Sequence, residues 1–186
     1  MSSSKVAIAI DVDNLLISSA EAGQPFQGYS MRSGFENMFA WLRSFAVIDR
    51  IYLYVSMGQC LKHDELFHEI WEKCKGDFIF EMVYCPRRRS EETGGLVDNV
   101  DQHLIWHTRR MAPSFQGIEY FCLASGDLDY SPMLWELKRE FGLKIGFILG
   151  SKRSFSGAYK QMKLAGTHPR TGEELIHYFL PRKAKT

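Results

Sequence analysis

Short apolar runs alternate along this chain with longer segments whose hydrophobic residues recur every three or four positions. The first run, Lys5-Val-Ala-Ile-Ala-Ile10, is continuous rather than alternating, the pattern of a strand buried on both faces. Comparable runs lie at Arg50–Val55, Asp77–Tyr84, Glu119–Ala124 and Lys144–Leu149, and Ile176–Leu180 reads as a last, edge strand. Between them, Met31, Phe35, Met38, Phe39, Leu42 and Phe45 mark one helix, and Leu66, Phe67, Ile70, Trp71 and Cys74 mark another within Leu61–Lys75. Each has the spacing of a single apolar face. The pattern predicts a further helix from about Leu96 to Met111, one opened by Ser131-Pro132 that stops at Gly142, and one running through Lys163. Leu15–Ser30 has no clear period and reads as a short helix or loop, Met57-Gly58 as a turn, and Cys85–Gly95 as a loop.

Strands separated by helices predict an α/β fold: three layers, α/β/α, around a mainly parallel sheet of five or six strands of the Rossmannoid kind. A chain of 186 residues, 45% hydrophobic and 13% aromatic, can bury a core of its own. It reads as one domain over residues 1–186, with a core of about 5–164 and a short basic tail of about 181–186. A formal net charge of +1 excludes polyanion binding through overall charge and leaves only local basic patches. Cys60, Cys74, Cys85 and Cys122 lack metal-ligand spacing, no positively charged apolar leader precedes them, and no apolar run is long enough to span a bilayer. Those features predict a reducing, cytoplasmic compartment and no membrane partner.

The chemistry gathers where strands end. The first strand runs into Asp11-Val12-Asp13-Asn14, and the fourth into Ser125-Gly126-Asp127-Leu128-Asp129-Tyr130. For any one aspartate after a strand, capping or an Asx turn is the plainer role. In a doubly wound sheet, however, these two strand ends meet at the switch point, where ligands bind. Two unit charges about 4 Å apart repel by roughly 4 kcal/mol in a surface-like dielectric, so packed acids must spread, protonate or bind a cation. An all-oxygen set without histidine or thiolate points to Mg²⁺ or Mn²⁺, and such a site points to phosphoester hydrolysis. Asp98 and Asp101 share a helical face near a helix start, a position that also suits carboxylates electrostatically. Arg87, Arg88 and Arg89 ahead of Gly94-Gly95, and Lys152-Arg153-Ser154 after the fifth strand, fit a phosphate backbone better than a small neutral substrate.

Three segments carry a resemblance. Ile10-Asp11-Val-Asp13-Asn14, Asn99-Val-Asp101 with His107 six residues on, and Ala124-Ser125-Gly126-Asp127-Leu-Asp129-Tyr130 resemble, in that order, the acidic motifs of the NYN family of PIN-like ribonucleases. The likeness runs from about Lys5 to about Leu164. It implies a PIN-like fold and an Mg²⁺- or Mn²⁺-dependent ribonuclease in which Asp11, Asp101, Asp127 and Asp129 hold the metal and serve catalysis. By the resemblance Asn14 and Ser125 would support them, with Asp13, Asp98 and Asn99 as further supporting candidates beside these motifs, and the implied substrate is RNA, single-stranded or structured. DNA stays open as a substrate, and so does the choice between monomer and homodimer. Val12, Asp98-Asn99 and His107 depart from the common pattern, and His107 reads as a structural residue or one that supports the metal-holding acids. Two readings compete: a haloacid-dehalogenase-like phosphatase with Asp11-Val-Asp13 as nucleophile and acid, and a non-catalytic RNA-binding module of the same fold.

Overall fold

Val6 through Ile10 are fully buried, and the direction in which each points decides the layers of the molecule. In strand β1 (Lys5–Asp11), Val6, Ile8 and Ile10 enter one core while the small Ala7 and Ala9 enter another on the opposite face. The computed structural model describes residues 4–21, 28–74, 76–90, 94–97, 99–150 and 163–180. Against the first face lie helices α1 (Val12–Glu21), α2 (Gly28–Arg43) and, after β2 (Val47–Ser56), α3 (Met57–Cys74). Strand β3 (Ile79–Cys85) is followed by a small antiparallel pair, β4 (Arg88–Arg89) and β5 (Leu96–Val97). Helix α4 (Val100–Met111) and, after β6 (Ile118–Ala124), helix α5 (Ser131–Glu140) cover the second face. Strands β7 (Lys144–Leu149) and β8 (Ile176–Tyr178) complete the sheet.

The sheet has six strands in the order β3-β2-β1-β6-β7-β8, and every pairing in it is parallel. This is the expected α/β architecture, with β1 and β6 side by side where the strand order reverses. Ile10 sits beside Ala124 in that pair, so the acidic segments that follow them emerge together. No helix among the described residues is long and apolar enough to cross a membrane.

Four boundaries differ from the expectation. Residues 12–21 form helix α1 directly after β1. Met57-Gly58 opens α3 instead of making a turn, and the helix bends at His63. The reason lies in the tertiary structure: the Asp13 carboxylate accepts from both the backbone N–H (3.0 Å) and the hydroxyl (2.8 Å) of Ser56, fixing the strand-to-helix junction from a distant segment. Leu96 belongs to β5, so α4 starts only at Val100, and Arg88-Arg89 pair with it as β4 rather than lying in a loop. The expected helix between Gly157 and Lys163 falls largely outside the described residues. Gly142, just past α5, has φ +68°, a left-handed conformation that suits glycine after a helix.

The end of β7 presses on α1. A Cβ on Gly150 would overlap Ser18 Oγ and stand 2.9 Å from both the Leu15 carbonyl oxygen and the Ser19 amide nitrogen. Because two of those atoms are backbone, they move only if α1 moves. Gly150→Ala should therefore lower the unfolding free energy by about 1–3 kcal/mol, the range for overpacking. Urea denaturation measures it, and an unchanged midpoint would show that α1 is free to back away.

Candidate active site at the switch point

Parallel strands deliver all their carboxyl ends to one edge, and the acids collect there. Asp11 is the last residue of β1 and is 2% exposed. Asp101 comes from the first turn of α4. Asp127 caps a single 3-10 turn, Leu128–Tyr130, through its Oδ1, which accepts the Asp129 N–H at 3.1 Å. Asp101, Asp127 and Asp129 each bring a carboxylate oxygen to within 4.8 Å of the others. Asp11 is not in that group of three; it stands behind it, joined through a tyrosine.

That tyrosine is Tyr130, which is fully buried. Its hydroxyl oxygen lies 2.8 Å from Asp11 Oδ2 and 2.8 Å from Asp101 Oδ1, so one hydrogen faces two carboxylates. Asn14 ties the two strand ends together: its N–H donates to Asp11 Oδ1 at 3.0 Å, and its Oδ1 accepts the Gly126 N–H at 3.2 Å. The buried Ser125 hydroxyl oxygen accepts the Asp127 N–H at 3.2 Å. Asp13 points elsewhere, onto Ser56, and supports the site by holding the ends of β1 and β2 together. Asn99 precedes α4 without a side-chain capping bond, and its side chain and carbonyl face the His103 ring.

Arg87, Arg88 and Arg89 follow the carboxyl end of β3, at the same edge of the parallel sheet. Arg88 and Arg89 are exposed on β4. Arg87 reaches over the start of α3, its guanidinium 3.8 Å from where a Cβ on Gly58 would lie. Asp98, Lys152, Arg153 and Ser154 lie outside the described residues. His107 has a structural setting: its Nδ1 is 2.8 Å from the Tyr54 hydroxyl and its ring packs edge-on against Tyr52 and Tyr54. The sequence pattern alone does not single out Tyr130 or Ser56. Tyr130 has one signal there, its place directly after Asp127-Leu-Asp129.

Burial sets the electrostatics. It raises the Asp11 carboxyl from 3.8 to about 7, against the hydrogen bonds from Asn14 and Tyr130, and the charges of Asp101 and Asp13 push the same way. Asp101 is also raised, first by burial and then by Asp127, Asp129 and Asp13, while the Tyr130 hydrogen bond opposes the rise. Burial likewise lifts the nearby Cys85 thiol to about 12, so it stays a neutral apolar filler. A second consequence concerns stability. The unfolded chain releases the Asp11 proton near pH 3.8 and the folded protein near about 7, so between these values the folded state binds the extra proton. The contribution of Asp11 to stability therefore falls as pH rises from about 4 to about 7. Asp11→Asn removes that pH dependence. In EDTA, its Tm relative to the wild type should rise between pH 4.5 and pH 7.5 by about 3 °C or more, and a difference independent of pH would contradict an ionising, buried Asp11.

The family model described as NYN domain matches residues 5–163, a span that includes every acid of the cluster. No curated protein matches the sequence. The crystal structure of a protein of unknown function from Vibrio parahaemolyticus is similar in fold, with a TM-score of 0.52 and 21% identity over 83% of this chain and 85% of that one. The order of strands, the acids at their meeting point and the family match agree, and the chain belongs to the NYN domain family, a family of PIN-like ribonucleases.

Proposed function

We propose that the protein is a metal-dependent ribonuclease that hydrolyses RNA phosphodiester bonds at the Asp101, Asp127 and Asp129 cluster. The observation that carries this reading is the convergence of three carboxylates within 4.8 Å at the switch point of a family of nucleases. The donor set fits the group the family implies: it is all oxygen, which suits Mg²⁺ or Mn²⁺ rather than zinc. Asp101, Asp127 and Asp129 would hold the ion. A bound divalent cation would polarise a phosphate oxygen and acidify a water for in-line attack.

The chain's own residues prepare that chemistry. Asn14 and Ser125 hold the Gly126 and Asp127 N–H groups, so the backbone that carries Asp127 is fixed before a substrate arrives. Asp129 is exposed, on the side from which a phosphate can enter, while Asp11 is sealed behind Tyr130. Arg88 and Arg89, with Arg87 and the Lys152-Arg153-Ser154 segment, would neutralise phosphates flanking the scissile one. The phosphatase alternative meets an obstacle in the same geometry. Asp11 is 2% exposed with a hydrogen bond on each oxygen, and both oxygens of Asp13 are held by Ser56. Neither is poised to attack or to donate a proton.

Labelled single-stranded RNA, structured RNA and DNA, incubated with Mn²⁺, Mg²⁺ or EDTA, test the reading. Cleavage of RNA should need metal, and Asp127→Asn should lower it at least about 100-fold, beyond the usual cost of changing a supporting residue. Tight RNA binding with no metal-dependent cleavage would replace the nuclease by a binding module. Arg88→Ala with Arg89→Ala should weaken RNA binding across sequences and flatten its salt dependence by about 0.7 in log–log slope for each phosphate no longer neutralised. An unchanged slope would remove the β4–β5 pair from the RNA path.

A further inference from the structure

We propose that Tyr130 determines which cation the site accepts, by holding Asp101 to one-oxygen coordination. The inference rests on the metal-dependent reading above and deepens it. Within the three-carboxylate group, the Tyr130 phenol donates toward Asp101, whose Oδ1 lies 2.8 Å from it. The phenol cannot swing away. Tyr130 is fully buried, its oxygen is also 2.8 Å from Asp11 Oδ2, and Asp11 is itself held through Oδ1 by the Asn14 N–H. The chain from Asn14 through Asp11 and Tyr130 thus ends on one oxygen of Asp101, leaving the other to serve a cation.

The count of available oxygens separates divalent ions. Ca²⁺ takes six to eight oxygens and commonly uses both oxygens of a carboxylate, whereas Mg²⁺ requires a compact octahedron and takes one oxygen from each. Mn²⁺ also suits octahedral oxygen sites. A carboxylate pinned at one oxygen by a buried phenol favours the small octahedral ions over Ca²⁺. Replacing Tyr130 with phenylalanine keeps the ring that fills this part of the core and removes only the hydroxyl. Asp101 can then turn both oxygens to the ion. Asp11→Asn provides the contrasting change: its carboxamide has the same size and can donate to the phenol oxygen, so the phenol hydrogen still has Asp101 as an acceptor.

The experiment uses the full chain, with free Mn²⁺ followed by its electron paramagnetic resonance signal during titration and then during displacement by Ca²⁺. The readout is the ratio of Ca²⁺ to Mn²⁺ dissociation constants, which cancels a uniform change in affinity; thermal unfolding of each variant reports its fold. Tyr130→Phe should lower that ratio about tenfold, in the range by which supporting residues alter metal sites, while Asp11→Asn leaves it within about threefold. Asp101→Asn should weaken Mn²⁺ binding itself. Equal ratios in the wild type and Tyr130→Phe would overturn the inference while leaving the metal site standing. So would an equal fall in Asp11→Asn, which would mean general loosening rather than the phenol. Absence of Mn²⁺ binding to the wild type, or full binding by Asp101→Asn, would overturn the reading of the site and this inference with it. A Tyr130→Phe chain that fails to fold would overturn it as well, since a ring-preserving change would then have a structural role alone.

Discussion

Negative charge confined to one sheet edge is the condition to which the rest of this structure answers. Asp11, Asp101 and the Asp127–Asp129 pair arrive from three chain segments, and each close pair costs several kcal/mol unless something offsets it. The fold places donors among them: the N–H groups of Asn14 and Asp129 and the hydroxyl of Tyr130. These donors stay in place because β1 and β6 pair directly, Ile10 beside Ala124, and because Asn14 stitches their ends together. Register in the sheet therefore becomes distance in the site.

The parts of the molecule legible in the sequence are those whose burial is set by one element alone. The doubly buried strands β1, β6 and β7 write their environment into continuous apolar runs, and their ends could be located to within a residue or so. The meeting of the two acidic segments followed from the parallel order. What stayed hidden depended on partners far along the chain. Asp11 and Asp13 look alike on paper, two apart in a single motif, yet one closes a strand behind Tyr130 and the other opens a helix and turns to Ser56. Leu96 and Val97 look like the apolar start of a helix, but they pair across to Arg88 and Arg89. Tyr130 reads as one more aromatic residue until the fold brings Asp11 and Asp101 to its hydroxyl.

Function and stability pull against each other at Asp11. A carboxyl group with 2% exposure is an expensive thing to ionise, and an apolar residue would serve the core better. The chain keeps the acid where it can anchor the phenol that aligns Asp101. A desolvated acid of this kind, kept at a cost to stability, is common where a carboxyl serves a site rather than packing.

The site is also divided along the chain. Asp11, Asp13 and Asn14 belong to the first strand and helix, whereas Asp101, Asp127, Asp129 and Tyr130 come only after β2 and β3 of the main sheet have been made. The three clustered acids all lie in the later portion, but the edge that carries them is built by long-range pairings, β1 with β6 and Asn14 with Gly126. During synthesis the first half emerges and can form its own helices and strand pair while the acids of the second half are still absent. The acidic edge therefore takes its final shape only when the sheet is closed across the middle, late in the growth of the chain.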